Sequence, residues 1–297
     1  MDLESERALR HEIMSELAGR LTETDRIITR DELSSFQVGS RGSIRLIDTT
    51  RGIRNPADLQ ATLSVVSDPN GPYNDRYDDT GLFRYSYRAG PVEGDNTKLR
   101  RAVELQLPII LLRKIQPGLY MPVFPVYVIA DDLPQREFVL VLDEDLLELV
   151  TDPGIEKPLQ RRYAERAAWV RVHQPEFRIR VLAAYRTYCA VCRLHRRVLL
   201  DAAHIVKDRH ERGDAVTPNG LSLCKIHHAA YDQDLLGITP DYQVRINTEL
   251  LEEIDGPMLQ HGLQEMHGTA ITVPRRPADR PDRERLDLRY SEFLKAS

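Results

Sequence analysis

Cys189-Ala-Val-Cys192, then thirty-one residues, then Cys224-Lys-Ile-His227 is the stretch on which the fold of this chain turns. Each pair brackets a short turn that aims two soft donors at one point, and thiolates with an imidazole in a tetrahedral set suit zinc. The two pairs use all three cysteines of the chain. An odd and small cysteine count argues against a disulfide framework. A four-ligand set is closed to substrate, so Cys189, Cys192, Cys224 and His227 are expected to hold a structural Zn²⁺. Its role would be to staple a segment rich in charge and poor in core. The competing reading, buried apolar cysteines beside an unrelated histidine, is weak at this spacing.

Between the pairs lies Val198-Leu-Leu-Asp-Ala-Ala-His204-Ile-Val206, an apolar strand that delivers one histidine. A charged loop follows, and then Thr217-Pro-Asn219-Gly-Leu-Ser-Leu-Cys224-Lys-Ile-His227-His228-Ala-Ala-Tyr-Asp232. Taken singly, a histidine on such a strand is more often core, and Asn-Gly is usually a turn. Interleaved with the metal ligands in this order, His204, Asn219 and His228 resemble the HNH endonucleases. The resemblance spans roughly Phe177 to Ile246 and implies a ββα-metal fold, a hairpin followed by a helix around one catalytic divalent ion. It implies His204 as general base and His228 as a ligand of that ion, with His227 turned the other way. Asn219 would hold the hairpin and orient His204, or lie close to the metal. The position before the base, often a metal ligand in that family, is Ala203 here. Asp201 is therefore the substitute ligand candidate, although strand alternation should turn it away from His204; Asp232 is a weaker one. A mixed His/Asn/carboxylate site accepts Mg²⁺ or Mn²⁺, with Co²⁺ and Ni²⁺ as further options.

Charge is distributed in support of this. The net charge is −5, yet Arg161–Ala215 holds thirteen Lys/Arg against six Asp/Glu, and Asp131–Lys157 holds nine acids against two bases. The split suggests two modules, the second facing phosphate; solvated helix faces are the plainer explanation. Arg178, Arg193, Arg196, Arg197, Lys207 and Arg209 are the expected contacts to a DNA backbone. The string from Arg171 to Arg178 resembles the restriction-type branch of the HNH family, in which the nuclease is fused to a separate DNA reader. His173, Gln174 and Arg178 are DNA contacts or packing residues on that reading.

Upstream, residues 1–30 read as a helix with Leu9, Ile13, Leu17 and Leu21 on one face. From about Ile44 to Val141 short β-rich runs alternate with turn signals such as Asp68-Pro-Asn-Gly-Pro72. One helix, Thr97–Leu107, interrupts them with Asp95 or Asn96 available as its cap. Within this region, Gly71-Pro-Tyr73-Asn-Asp75 and Phe83-Arg-Tyr85-Ser86-Tyr87 combine a turn, acids and tyrosines on an alternating strand. A pocket for a flipped base needs aromatic faces and an acceptor for an exocyclic amine. These residues, with the later Gly94-Asp-Asn96-Thr-Lys-Leu-Arg-Arg-Ala102, resemble the SRA domain, a reader of modified cytosine. The resemblance implies that Tyr73 and Tyr85 stack on the base, Asp75 bonds its Watson–Crick edge and Ser86 lines the pocket. Pro72 replaces a family glycine, the spacing from Tyr73 to Gly81 is about one residue longer than in the family, and Arg88-Ala-Gly90 matches the family's Gly-rich loop loosely. The alternative is that the tyrosines are strand packing.

The expected organisation is a helix at 1–30, an SRA-like modified-DNA reader at 31–142, an acidic linker at 143–160 and an HNH nuclease domain at 161–297. Its helix Tyr163–Tyr188 would break at Pro175, and a short one would close the chain near Arg289–Leu294. The fold class is α+β, a mostly-β SRA/PUA-like barrel plus a zinc-stapled ββα-metal domain. With 297 residues, 41% hydrophobic and 29% charged, disordered and fibrous classes are excluded. The apolar run Leu107–Leu112 is too short for a membrane span, and the acidic start Met1-Asp-Leu-Glu-Ser-Glu-Arg is unlike a secretory signal. The expectation is a cytoplasmic, type IV-like restriction endonuclease dependent on methylated or hydroxymethylated cytosine. Its partner is double-stranded DNA, with a homodimer on symmetric duplex sites and no membrane. The alternatives are an HNH nuclease whose N-terminal domain reads ordinary sequence or another partner, and a zinc protein that binds DNA without cutting.

Overall fold

The computed structural model describes residues 1–24, 26–78, 82–88, 94–142, 147, 174–207, 210 and 212–296. The acidic linker apart from Leu147, the helix expected before Gln174 (with Arg171 and His173), and Arg209 lie outside the described residues. The chain divides into two compact units, Met1–Val172 and His173–Ser297. The α+β class read from the sequence is what the structure shows. No helix among the described residues is long and apolar enough to cross a membrane.

In the first unit, helix Leu3–Glu23 is capped by Asp2, whose carboxylate accepts from the Ser5 amide at 2.9 Å. It buries Leu9, Ile13, Leu17 and Leu21 as the periodicity requires. The helix ends sooner than expected. Arg26 takes a left-handed φ of 65°, and Ile28–Thr29 leaves as a strand that pairs with Leu119 and Tyr120. β-branched residues favour that exit. Thr29 then caps Arg30–Ser34 in a reciprocal capping box with Glu32.

Among the described residues the sheet has eight strands, ordered Ile53–Arg54, Ser64–Ser67, Ile109–Gln116, Leu119–Asp132, Glu137–Val141, Phe83–Ser86 and Arg76–Tyr77, with Ile28–Thr29 added beside Leu119–Asp132. All neighbours are antiparallel except Ser64–Ser67 with Ile109–Gln116. Helix Asp95–Leu105 lies in the connection between those two. It is capped by Gly94 without a side-chain bond, not by Asp95 or Asn96, and ends at Gln106 with φ 49°. Leu107 cannot extend it, because the residue before Pro108 is steered out of the helical region. The expected barrel does not close among the described residues. The sheet ends on strands of two residues each, Ile53–Arg54 and Arg76–Tyr77, which do not pair with each other; register shifts beside the fourteen-residue central strand mark bulges that bend it.

One buried ion pair ties this unit together. Glu6 and Arg10, spaced four apart, both have side chains with no exposure. Arg10 donates to Glu6 (2.6 Å) and to the carbonyls of Ala61 (2.9 Å), Thr62 (2.9 Å) and Pro108 (2.7 Å). The second Glu6 oxygen accepts from the Gln60 amide at 2.7 Å. Helix, loop and strand entry meet at one guanidinium.

In the second unit, residues 174–184 are helical and include Pro175; the part of the expected helix before Gln174 lies outside the described residues. Phe177, Val181, Leu182 and Tyr185 bury against the antiparallel hairpin Leu200–His204/Gly220–Cys224 and helix Lys225–Asp232. A second hairpin, Leu236–Ile238/Val244–Ile246, follows. The last helix, Arg283–Ala296, begins earlier than its apolar residues suggest and docks Arg289 onto Asp234 and the Tyr231 carbonyl.

Glu6→Ala should lower the unfolding free energy by about 3–5 kcal/mol, because it leaves a buried guanidinium without its counter-charge. Chemical denaturation of the full chain measures this, and a loss below about 1 kcal/mol would show that the pair is dispensable.

Candidate functional site

Four donors converge at the start of the second unit. The ligand atoms of Cys189, Cys192, Cys224 and His227 all lie within 4.8 Å of one another. Cys192 Sγ is 4.0 Å from Cys224 Sγ, and His227 Nδ1 is 3.5 Å from Cys189 Sγ and 3.1 Å from Cys224 Sγ. Two sulfurs on one tetrahedral zinc stand about 3.8 Å apart, so the set has the right size, and none of the cysteines is in a disulfide. His227 Nε2 donates to the Gly262 carbonyl at 2.7 Å. That fixes the tautomer and leaves Nδ1 as the nitrogen facing the thiols. Burial pulls the His227 imidazole down, but its bonds to Cys189 and Cys224 outweigh this and take it up to about 10. The cluster thus draws positive charge into its centre, which a divalent cation would supply in place of the proton.

The hairpin links this cluster to the expected base. Leu200 pairs with Cys224 at one end and His204 with Gly220 at the other. Helix Lys225–Asp232 follows directly, and successive helical residues point about 100° apart. His227 is buried toward the thiols while His228 turns to a cleft on the opposite side. That cleft, about 580 Å³, is lined by Gln174, Phe177, Arg178, Asp201, His204, Lys207, His228 and Asp232 among others.

Asp201 and His204 face the same cleft, against the alternation expected for residues three apart. The burial along Leu200–His204 explains it. Leu200 and Ala203 are the inward residues, three apart, as the strong twist of a two-stranded ribbon allows. Asp201 Oδ2 is 3.5 Å from His228 Nδ1, and Asp232 Oδ2 is 3.4 Å from His228 Nε2. Lys225 and Arg178 also lie on Asp201. Burial raises the Asp201 carboxyl, but Lys225 and His228 hold it below the ordinary carboxylate range.

Two residues outside the motif set His204. The Phe177 ring stacks on its imidazole, centroids 4.0 Å apart and planes 17° from parallel. Gly220, opposite His204, is a strand residue and not the second half of an Asn-Gly turn. A Cβ there would fall 2.3 Å from Val181 Cγ2 and 2.9 Å from the tip of Phe177. The apolar face Phe177/Val181/Tyr185 was visible as helical spacing; that Phe177 stacks on His204 was not.

Asn219 is fully buried and spent on backbone. Its Oδ1 accepts from the Val206 amide (2.9 Å), and its Nδ2 donates to the carbonyls of Val206 (2.9 Å) and Asp214 (3.0 Å). It does not line the cleft. Of the two roles left open for it, holding the hairpin fits this geometry and proximity to a metal does not.

The basic residues divide. Lys207, Arg193 and Arg196 are exposed. Arg178 is turned into the fold, donating to the Leu200 carbonyl at 2.9 Å and to that of Arg197 at 3.3 Å. It braces the entry to the Asp201 strand at the wall of the cleft.

In the first unit, Tyr73, Asp75, Tyr85 and Ser86 do come together, around Arg88. The Arg88 guanidinium carbon lies 4.1 Å from the Tyr73 ring centroid and 3.9 Å from that of Tyr85. Asp75 receives two hydrogen bonds from it, at 3.1 and 2.9 Å, and one from the Ser86 amide at 3.0 Å. Tyr85 is fully buried, its hydroxyl donating to the Gly52 carbonyl at 3.0 Å, and burial pushes its phenol up.

Residues 189–239, which contain both donor pairs with His204, Asn219 and His228, match the HNH endonuclease family. No curated protein matches the chain. Among solved structures, the modification-dependent TagI restriction endonuclease aligns at 18% identity over 82% of this chain and 86% of its own, with a TM-score of 0.31. The SUVH5 SRA domain in complex with hemimethylated CG DNA aligns at 18% identity over 33% of this chain and 76% of its own, TM-score 0.27. The type IV phosphorothioation-dependent restriction endonuclease ScoMcrA aligns at 17% identity over 83% of this chain and 53% of its own, TM-score 0.24.

Cys192→Ser should abolish tight metal binding and unfold the second unit, since ligation and folding share one free energy; elemental analysis with far-ultraviolet dichroism reads both. A soluble variant that keeps its metal would remove Cys192 from the ligand set. Gly220→Ala should cost about 1–3 kcal/mol by overpacking Phe177 and Val181, measured by thermal unfolding, and should disturb the His204 imidazole in the NMR spectrum.

Proposed function

We propose that this protein is a metal-dependent DNA endonuclease of the HNH type, directed by its first unit to modified cytosine. The observation that carries the nuclease part is the cleft. It gathers an imidazole, a second imidazole flanked by carboxylates, and cationic side chains, on a hairpin anchored by a separate thiolate/imidazole cluster. That division matches what phosphodiester hydrolysis needs: a closed centre for structure and an open one for chemistry.

Within the cleft His204 is the general base. A neutral imidazole takes a proton from water in the useful pH range, and its plane is held by Phe177 while Asn219 braces the loop behind it. Asp201 and His228 would hold the catalytic cation. The remaining positions fall to water and substrate phosphate, as Mg²⁺ or Mn²⁺ sites commonly arrange them. Such an ion supplies charge neutralisation at the scissile phosphate and leaving oxygen. The Lys225 ammonium on Asp201 supports this placement, since that carboxylate already stabilises positive charge. Lys207 at the cleft, with Arg193 and Arg196, would contact phosphates and make binding salt-dependent. Cys189, Cys192, Cys224 and His227 would hold Zn²⁺.

For the first unit, the convergence of Tyr73, Tyr85 and Asp75 supports a slot for a flipped base. A second reading, in which this unit contacts DNA without flipping a base, is favoured by the burial of Tyr85 and by Arg88 over its ring. One hydrolytic centre per chain nicks one strand, so double-strand cleavage calls for two chains on the duplex.

Plasmids carrying unmodified, 5-methylated or 5-hydroxymethylated cytosine, incubated with protein and Mg²⁺ or Mn²⁺, test the proposal. Nicking confined to a modified plasmid is expected; equal nicking of all three would move the reader to ordinary sequence, and binding without nicking would remove the nuclease. His204→Ala should slow nicking by about 10²–10⁴-fold with metal content and melting temperature kept; loss of the fold would make His204 a core residue.

A further inference from the structure

We propose that Arg88 is a built-in competitor for the base slot of the first unit, filling it in the free protein and leaving when a flipped base enters. The inference rests on the reading of that slot as a base pocket, and adds the step that controls entry.

A guanidinium is flat, stacks on aromatic faces and carries its donors in one plane. Those are also the properties of a nucleobase that presents an amine edge. Arg88 uses all of them. It lies over Tyr73 and Tyr85, as a base would. Two of its N–H groups meet Asp75, the acceptor at the end of the slot, and others reach the carbonyls of Val66 at 2.7 Å and Ser86 at 3.2 Å. The slot is closed around it. The Asp75 side chain is 1% exposed and that of Arg88 8%. Across the strands, a Cβ on Gly52 would fall 2.8 Å from Arg88 Nε, so only glycine there admits the side chain. A base and this guanidinium cannot share the space.

The exchange has an energetic condition. Taking Arg88 out leaves the buried Asp75 carboxylate with the Ser86 amide as a donor but without its counter-charge, and a buried charge left unpaired is costly. An entrant must therefore replace the lost hydrogen bonds to Asp75, which the exocyclic amine of a cytosine does and a carbonyl edge does not. Arg88, once outside, gains a phosphate backbone as its new counter-charge. Because the competent state is a minor one, apparent affinity falls by its population. Arg88 thereby raises the threshold for binding and rejects bases that offer Asp75 nothing.

The test measures binding of the full chain, in a His204→Ala background to prevent cleavage, to three duplexes differing at one cytosine: unmodified, 5-methylated and 5-hydroxymethylated. Tyr73→Ala should bring the preferred duplex down to the affinity of the unmodified one. Arg88→Ala should bind the preferred duplex about tenfold more tightly than the parent does. If Tyr73→Ala weakens binding and Arg88→Ala weakens it as well, Arg88 is part of the recognition surface; the gate is overturned while the base-reading stands. If Tyr73→Ala changes nothing, the slot is not a base pocket and both fall. A second measurement is independent of variant stability. In ¹⁵N-labelled parent protein, the Arg88 Nη–H groups, which hold Asp75, Ser86 and Val66, should exchange slowly when free and rapidly once the preferred duplex is added. Undiminished protection in the complex overturns the gate.

Discussion

The convergence of three sulfurs and one imidazole is the constraint from which the second unit follows. Cys189 and Cys192 come from the turn after helix 174–184, Cys224 ends a strand and His227 lies in the first turn of the next helix. Bringing these atoms within 4.8 Å joins three elements that also share one apolar core. It also fixes the rotation of helix Lys225–Asp232. With His227 directed inward, His228 has no choice but to face the cleft, and the hairpin carries His204 there from the far end of the same ladder.

Orientation of the His204 imidazole is then a packing problem solved with ordinary residues. Phe177 supplies a flat apolar face for the imidazole, and the missing side chain at Gly220 lets that face approach. Asn219 answers the amide and carbonyl of buried Val206, which would otherwise go unsatisfied, and also reaches the Asp214 carbonyl. None of the three touches the cleft's carboxylates, yet together they determine where the imidazole points.

In the first unit charge is used as architecture. Arg10 gathers the carbonyls of a loop and a strand entry around Glu6, and Arg88 gathers Val66, Ser86 and Asp75 between two tyrosines. The two arrangements differ in what surrounds them. Arg10 sits on the first helix, buried among the Ala61, Thr62 and Pro108 carbonyls and Glu6, with no aromatic face beside it in the described residues. Arg88 lies between aromatic faces against an acceptor edge, a setting that a planar polar ligand would also satisfy.

The metal-ligand spacing and the order of His204, Asn219 and His228 were legible in sequence because they depend on local turns and on adjacent residues of one helix. The long strands and the apolar face of the first helix were legible for the same reason, since periodicity of two or 3.6 is a local property. Sheet closure, the two-residue strands and the burial of Glu6 and Arg10 were not. Each depends on which distant segment arrives alongside, and a Glu/Arg pair four apart reads as a surface pair until a loop covers it. The turning of Asp201 into the His204 cleft, the stacking of Phe177 and the seating of Arg88 were decided by tertiary structure for one physical reason: twist and close packing set side-chain direction over distances that residue order does not encode.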